Sequence, residues 1–197
     1  MISSVIFDLD GTLTKVPSPW QYVHQRLGVW DNTACHFLNE WLSGGISYEE
    51  FCRRDANLWN GCSLGEIHGY LDEIDLNRHV PAVVEQLVAR RIPSIIISSG
   101  FKYVASRIQE QCAWDPLLIY ANDLTDGPTV QINVSGDFSN PLSKKSLAER
   151  ALKTVGSTMS GTLVVSDTTR DLEQLCDCRY KLHVQEEDDL LRVNDYL

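Results

Sequence analysis

The chain has 197 residues, 43% hydrophobic and 22% charged. At roughly 150 residues per domain this is one domain, or one with a modest insertion, and the balance is that of a folded globule rather than a disordered tail. Seventeen basic against 27 acidic residues leave a net charge of −10, which repels phosphate backbones and anionic lipid, so neither nucleic acid nor a membrane is an expected partner. No apolar run reaches the roughly 18 residues that span a bilayer. The opening Met1-Ile2-Ser3-Ser4-Val5-Ile6-Phe7-Asp8 has no basic stretch and meets an aspartate too early for an export signal, so a cytoplasmic chain is expected, with Cys35, Cys52, Cys62, Cys112, Cys176 and Cys178 reduced.

In chain order, Val5-Ile6-Phe7 reads as a buried strand, running directly into Asp8-Leu9-Asp10-Gly11-Thr12. Residues 14 to 79 change in texture: they hold Trp20, Trp30, Trp41 and Trp59, repeated glycine breaks and no β-branched run, and read as a small helical insertion. Val80 to Arg91 predicts a helix with Val83, Val84, Leu87 and Val88 on its inward stripe. Ile95-Ile96-Ile97 is a second strand, ending at Ser98-Ser99-Gly100, and Leu117 to Tyr120 a further one. Ala121 to Asp137 predicts a hairpin around Asp126-Gly127-Pro128. Ser143 to Leu152 reads as a helix capped by Ser143, with Leu147, Ala151 and Leu152 inward, and Leu163-Val164-Val165 as a strand ending at Ser166-Asp167. Continuous β-branched strands separated by helical stretches favour a parallel sheet covered on both faces.

In an open parallel sheet, ligands bind beyond the carboxyl ends of the strands, and three of these strands end there in reactive side chains. Asp8, Asp10, Asp167 and Asp171 are hard oxygen ligands of the kind Mg²⁺ takes. Lys144 adds a positive charge, and Ser98 with the backbone N–H groups after it is suited to cradling an anion. A metal, a lysine, a hydroxyl and paired carboxylates together describe phosphoryl transfer.

Asp8-Leu9-Asp10-Gly11-Thr12-Leu13-Thr14 resembles the D-x-D-G-T motif of haloacid dehalogenase superfamily phosphatases. Ile97-Ser98-Ser99-Gly100-Phe101 is similar to the second motif of the phosphoserine phosphatase-like branch. Lys144 resembles the third-motif lysine, and Asp167-Thr168-Thr169-Arg170-Asp171 the D-x-x-x-D of the fourth. Ala121-Asn122-Asp123-Leu124 before a hairpin is also similar to that branch. The resemblance implies a Rossmann-like α/β core over residues 1–13 and 80–197, with a helical cap over 14–79. It implies Asp8 as nucleophile and Asp10 as general acid and base. It further implies Ser98, Ser99 and Lys144 on the phosphoryl oxygens, and Mg²⁺ held by Asp8, the Asp10 carbonyl and Asp167, with Asp171 binding directly or through another ligand. The expected activity is Mg²⁺-dependent hydrolysis of a small phosphorylated metabolite through an aspartyl-phosphate, by a monomer or homodimer. The competing readings are phosphoserine phosphatase proper, a phosphotransferase, and a catalytically weak phospho-ligand-binding protein.

Two features depart from that pattern. Ser166 and Thr168 replace the glycines of G-D-G-x-x-D, which predicts an altered loop shape with the ligand carboxylates kept. Phosphoserine phosphatases carry a glutamate soon after the first motif and an arginine in the cap, for the amine and carboxylate of the substrate. Here Gly11 to Trp30 contains no acidic residue, and Asp55 stands nearest the arginine position, with Arg53 and Arg54 one or two places away. Trp20 and Tyr48 are the expected substrate-facing aromatics, the remaining tryptophans being read as core. Lys145 competes with Lys144, although the helical phase favours Lys144. Cys176, Cys178 and His183 read as ordinary thiols and an imidazole rather than a metal clip, and Glu186 to Asp189 as a solvated helix start.

Overall fold

The computed structural model describes residues 2–116, 118–127, 130–134 and 143–197. Six strands, β1 (Ser4–Phe7), β2 (Ser94–Phe101), β3 (Leu118–Thr125), β4 (Gln131–Asn133), β5 (Thr162–Ser166) and β6 (Tyr180–His183), form one sheet in the order β4-β3-β2-β1-β5-β6. All neighbours are parallel except β3 and β4, which pair antiparallel as the predicted hairpin. Its turn residue Pro128, the far end of the hairpin beyond Val134, the start of the β3 run at Leu117 and the capping side chain of Ser143 fall outside the described residues. The runs of Val, Ile and Leu on β1, β2 and β5 are buried on both faces, as parallel strands sandwiched between helices require.

The chain moves from β1 outward through β2 to β3, then returns to β5 on the other side of β1. That reversal opens a crevice at the carboxyl ends of the central strands. Phe7 is in register with Ile96 on β2 and with Val165 on β5, so the residues immediately after each emerge at one edge. Asp8 follows Phe7, Ser98 lies two positions beyond Ile96, and Asp167 two beyond Val165.

Between β1 and β2 lie α1 (Pro19–Arg26), a single π-helical turn (Trp30–Ala34), α2 (Cys35–Leu42), α3 (Tyr48–Asn57), α4 (Leu64–Asp72) and α5 (Val80–Ala89). After β2 come α6 (Lys102–Cys112), α7 (Ser143–Thr154), α8 (Thr169–Gln174) and a 3₁₀ segment, Glu187–Asp195. Serines start three of the early helices: the hydroxyls of Ser18, Ser47 and Ser63 accept from Gln21, Glu50 and Glu66 backbone N–H groups, the last as a reciprocal capping box. On α5 the inward stripe is Val80, Val83, Val84 and Leu87. Val88, expected on it, is 55% exposed, because the i, i+3, i+4, i+7 set already fills the contact and the helix ends one residue later.

Segment 14–79 packs on the sheet through its aromatic rings. Trp59 is fully buried, Trp20 lies 5.7 Å from it, and Trp20 meets Phe101 of β2 at 4.6 Å. The two connections to this segment run side by side. Thr14 bridges Leu76, the Lys15 N–H donates to the Asp75 carbonyl at 2.9 Å, and the Asn77 N–H donates to the Leu13 carbonyl at 2.9 Å. The acidic run at 186–189 is not simply solvated: Glu187 pairs with Lys15 at 3.1 Å, and Asp188 pairs with His79 at 2.7 Å and with Arg78. A negative cluster therefore sits against both connections and offsets their basic residues. No helix among the described residues is long and apolar enough to cross a membrane.

One polar pair is buried inside the helical segment. His24 on α1 and Asp55 on α3 are 0% and 1% exposed, with Nδ1 and Oδ2 at 4.0 Å. Neither imidazole nitrogen has a hydrogen-bond partner, nor does Asp55 Oδ1. Burial pushes the Asp55 carboxyl up to about 8. Burial also holds His24 down at about 4, against a smaller upward pull from the Asp55 backbone. A carboxyl whose folded pKa is raised from an ordinary value near 4 favours folding below that value, and this contribution is lost as pH rises to about 8. Asp55→Asn keeps the shape and removes the titration. Its melting temperature relative to the parent chain should therefore climb as pH goes from about 4 to about 8 and then level off. A difference that stays constant across that range, measured by thermal unfolding, would show that Asp55 ionises normally.

Candidate active site

The sheet edge brings the predicted residues into one crevice. The Asp8 N–H donates to the Val165 carbonyl at 2.9 Å, continuing the pairing of β1 with β5 and fixing the base of the Asp8 side chain. Lys144, on the first turn of α7, donates through Nζ to Asp8 Oδ1 at 2.7 Å and also to Asp171 Oδ2. Asp171, on the first turn of α8, additionally accepts from the Ser166 hydroxyl at 3.0 Å. Lys145 instead pairs with Asp177 at 2.5 Å, so Lys144 is the lysine that reaches the crevice.

Asp167 is held through its backbone and its carboxyl. Its N–H donates to Thr12 Oγ1 at 2.9 Å, and the same hydroxyl donates to Asp167 Oδ1 at 3.3 Å. The Nε2 nitrogen of His183 lies 2.8 Å from the Asp167 carbonyl, so its N–H is directed there. Gly11 has a φ of 76°, and a Cβ at that position would overlap the Asp167 carboxyl. Glycine thus serves both the turn off β1 and the close approach of β5.

On the opposite wall, Ser98 Oγ donates to Asp10 Oδ2 at 2.6 Å and accepts from the Gly100 N–H at 2.8 Å. These residues occupy an irregularity in β2, where the register with β3 shifts between Ile97 and Phe101. The carbonyl of Ser99 receives three donors at that point: Trp20 Nε1 at 2.9 Å, Tyr48 OH at 3.2 Å and Asn122 Nδ2 at 2.9 Å. Asn122 also donates to the Tyr48 hydroxyl at 2.8 Å. One backbone oxygen therefore ties α1, α3 and β3 to the strand end that carries Ser98.

Asp8, Asp10, Ser98, Ser99, Lys144, Asp167 and Asp171 line one cavity of about 180 Å³. Trp20 lines it too. Residues not singled out from sequence include Pro17, Ser18, Pro19, Trp41 and Gln174. A second cavity of about 80 Å³ shares Ser18, Trp20, Trp41 and Ser99 with the first and extends into the helical segment between Trp30, Leu38, Tyr48, Phe51 and Asp55. Tyr48, expected near substrate, borders this second space rather than the first. Arg53 and Arg54 point elsewhere: Arg53 holds Glu50 at 2.7 Å, and Arg54 holds Glu50 at 2.7 Å and Glu40 at 2.8 Å.

The electrostatics are dominated by crowded carboxyl groups. Asp8 is pushed well up by burial, with Asp171 and Asp10 adding to the rise and Lys144 opposing it. Burial raises Asp10 to about 7, against the Ser98 hydrogen bond and Lys144. Asp167 is raised by burial, and the adjacent Asp8 carboxyl, its own backbone N–H and Thr12 limit the shift. Burial alone would lower the Lys144 ammonium, yet Asp8 and Asp171 together hold it above its ordinary value. Four carboxyl groups thus share one buried ammonium, with the exposed Arg170 at the rim.

That excess of negative charge suits a divalent cation. Among the described residues no three His, Cys, Asp or Glu side chains are gathered so as to hold a metal unaided. Several carboxyl oxygens of the crevice already have partners: Asp10 Oδ2 accepts from Ser98, Asp171 Oδ2 from Lys144 and Ser166, and Asp8 Oδ1 from Lys144. Asp8 and Asp167 stand next to each other and both line the cavity, so a cation between them would need backbone and solvent oxygens to complete its shell, as Mg²⁺ accepts.

A family model of haloacid dehalogenase-like hydrolases matches residues 5–175. Among solved structures, a substrate-bound phosphoserine phosphatase complex is 17% identical, with a TM-score of 0.75, covering 100% of this chain and 99% of that one. A phospho-aspartyl intermediate analogue of phosphoserine phosphatase is 18% identical, with a TM-score of 0.74, covering 97% and 90%. A HAD family hydrolase from Salmonella enterica subsp. enterica serovar Typhi is 15% identical, with a TM-score of 0.74, covering 90% and 61%. No curated protein sequence matches the chain. At these identities the structural likeness establishes the fold alone, whereas the family match runs from β1 through α8 and includes every carboxylate of the crevice. The chain belongs to the haloacid dehalogenase-like hydrolase family.

Proposed function

We propose that the chain is a phosphomonoesterase acting on a small phosphorylated metabolite, with Asp8 as nucleophile and Asp10 as general acid and base. The observation that carries this reading is the pairing of a buried carboxylate with a buried ammonium, Asp8 Oδ1 to Lys144 Nζ at 2.7 Å, in a cavity whose other wall presents Asp10 and Ser98. A carboxylate attacking a phosphate dianion is repelled unless cations offset both charges, and Lys144 stands where it can touch the nucleophile and the transferring group.

In the first half-reaction an Asp8 oxygen forms a bond to phosphorus while the ester O–P bond breaks, and Asp10 gives its proton to the departing oxygen. In the second, Asp10 takes a proton from a water that attacks the aspartyl-phosphate, releasing phosphate and restoring Asp8. A carboxyl held near 7 by burial is suited to both directions of transfer. Ser98, Ser99 and Lys144 would bind the phosphoryl oxygens. The residues present fit Mg²⁺, held by Asp8, the Asp10 carbonyl and Asp167, with Asp171 acting on it through Lys144; when bound, the ion would offset charge on the phosphoryl group. The helical segment 14–79 would act as a cap, its paired connections at 13–15 and 75–77 serving as the hinge and Trp20 as the contact that follows the Ser99 carbonyl.

Phosphate release from an aryl phosphate should require Mg²⁺ and should fall on the order of 10⁴-fold or more in Asp8→Asn. Unimpaired turnover in that variant would remove Asp8 as nucleophile. Lys144→Met should reduce kcat/KM by about 10² to 10³, the usual cost of losing one preorganised charge in such a site. Gly100→Ala provides a steric check: a Cβ at Gly100 would overlap the Asp10 carboxyl, so kcat should drop while thermal unfolding changes little. Normal kcat in Gly100→Ala would mean that the Asp10 position is not important to catalysis.

A further inference from the structure

We propose, building on the phosphatase reading, that the cavity between α1, α2 and α3 receives a leaving group ending in a protonated amine, held by Asp55 and by the surrounding aromatic faces. Asp55 lines this cavity, is 1% exposed and has one carboxyl oxygen without any hydrogen-bond partner. No cation within the helical segment meets it. His24, at 4.0 Å, is kept uncharged at neutral pH by burial, and Arg53 and Arg54 are turned to the outer side of α3 by Glu50 and Glu40. On α3 the buried face carries Tyr48, Phe51, Cys52, Asp55 and Ala56, so Asp55 is directed inward with the aromatics by helical phase.

A carboxyl buried without a counter-charge stays protonated at neutral pH, and an ammonium brought by a ligand is the kind of group that would let it ionise there. The walls agree with that charge. Trp41 stacks on Phe51 at 5.2 Å and lies 5.4 Å from Tyr48, with Trp30 also lining the space; faces of this type attract an ammonium. The space is about 80 Å³, enough for a short alkylamine, and it shares the Ser18, Trp20, Trp41 and Ser99 wall with the carboxylate pocket. A phosphate seated against Asp8 and Lys144 would therefore direct its ester group toward Asp55. The same surroundings disfavour a leaving group that carries its own carboxylate, because no cation there would meet it.

The test uses the full chain with Mg²⁺ and a series of ω-aminoalkyl phosphates from two to six carbons. Each is paired with the n-alkyl phosphate of equal length, and an aryl phosphate serves as control. At the best chain length the amine should exceed its alkyl partner by about 30-fold or more in kcat/KM, chiefly through KM, and Asp55→Asn should bring the ratio close to one. Each ratio is taken within a single protein, so partial loss of folded material in the variant cancels. Calorimetric binding of the same pairs reads the cavity without turnover. Equal amine and alkyl values at every length, or a preference that survives Asp55→Asn, would overturn the proposal. Failure to hydrolyse the aryl phosphate, together with tighter binding of the amines, would instead overturn the phosphatase reading and leave the amine site standing.

Discussion

Asp8, Asp10, Asp167 and Asp171 are forced together by the sheet, and their mutual repulsion is the cost around which the site is built. Parallel strands in register deliver Asp8 and Asp167 to the same edge because Phe7 and Val165 are partners. Lys144 is placed between Asp8 and Asp171 by the first turn of α7, and its charge is held by both. The remaining excess negative charge is relieved by proton uptake, seen in the raised Asp8, Asp10 and Asp167, or by a bound cation. The reactivity proposed for Asp8 follows from this arrangement, in which a nucleophile is desolvated yet in contact with an ammonium.

A second constraint couples this charge cluster to the helices above it. The Ser99 carbonyl accepts from Trp20, Tyr48 and Asn122, so the irregular end of β2 that carries Ser98 is shaped by α1, α3 and β3 together. Movement of the helical segment would alter donors to this carbonyl and hence the backbone that presents Ser98 to Asp10. The helical segment and the placement of the proposed acid–base residue are linked through a single peptide group.

The strands and the four aspartates were legible because they rest on local signals: β-branched runs, strand-end carboxylates at fixed spacing, and a lysine in helical phase with Leu147 and Ala151. What was not legible depends on partners distant in sequence. Val88 matches the inward stripe of α5 by periodicity, yet Val80, Val83, Val84 and Leu87 already fill that contact and leave it exposed. Asp171 reads by spacing as binding the metal directly or through another ligand, and only the fold shows that Lys144 and Ser166 both meet its Oδ2. His183, grouped by proximity with two cysteines, serves the Asp167 carbonyl. Glu187 and Asp188 read as solvated charge until Lys15, Arg78 and His79 are brought beside them. In sequence Asp55 stands only where an arginine would be expected; its burial without a counter-charge emerges from the packing of α1 against α3. The three donors on Ser99 leave no trace in sequence beyond the identities of the residues.

The most direct test of the central claim is chemical trapping on Asp8. The chain is mixed with substrate and Mg²⁺, treated with borohydride during turnover, and mapped by peptide mass spectrometry. An acyl phosphate on Asp8 is reduced to the alcohol, so the account predicts homoserine at position 8 and nowhere else, dependent on substrate. Steady phosphate release with residue 8 unmodified, or reduction at another carboxylate, would contradict it.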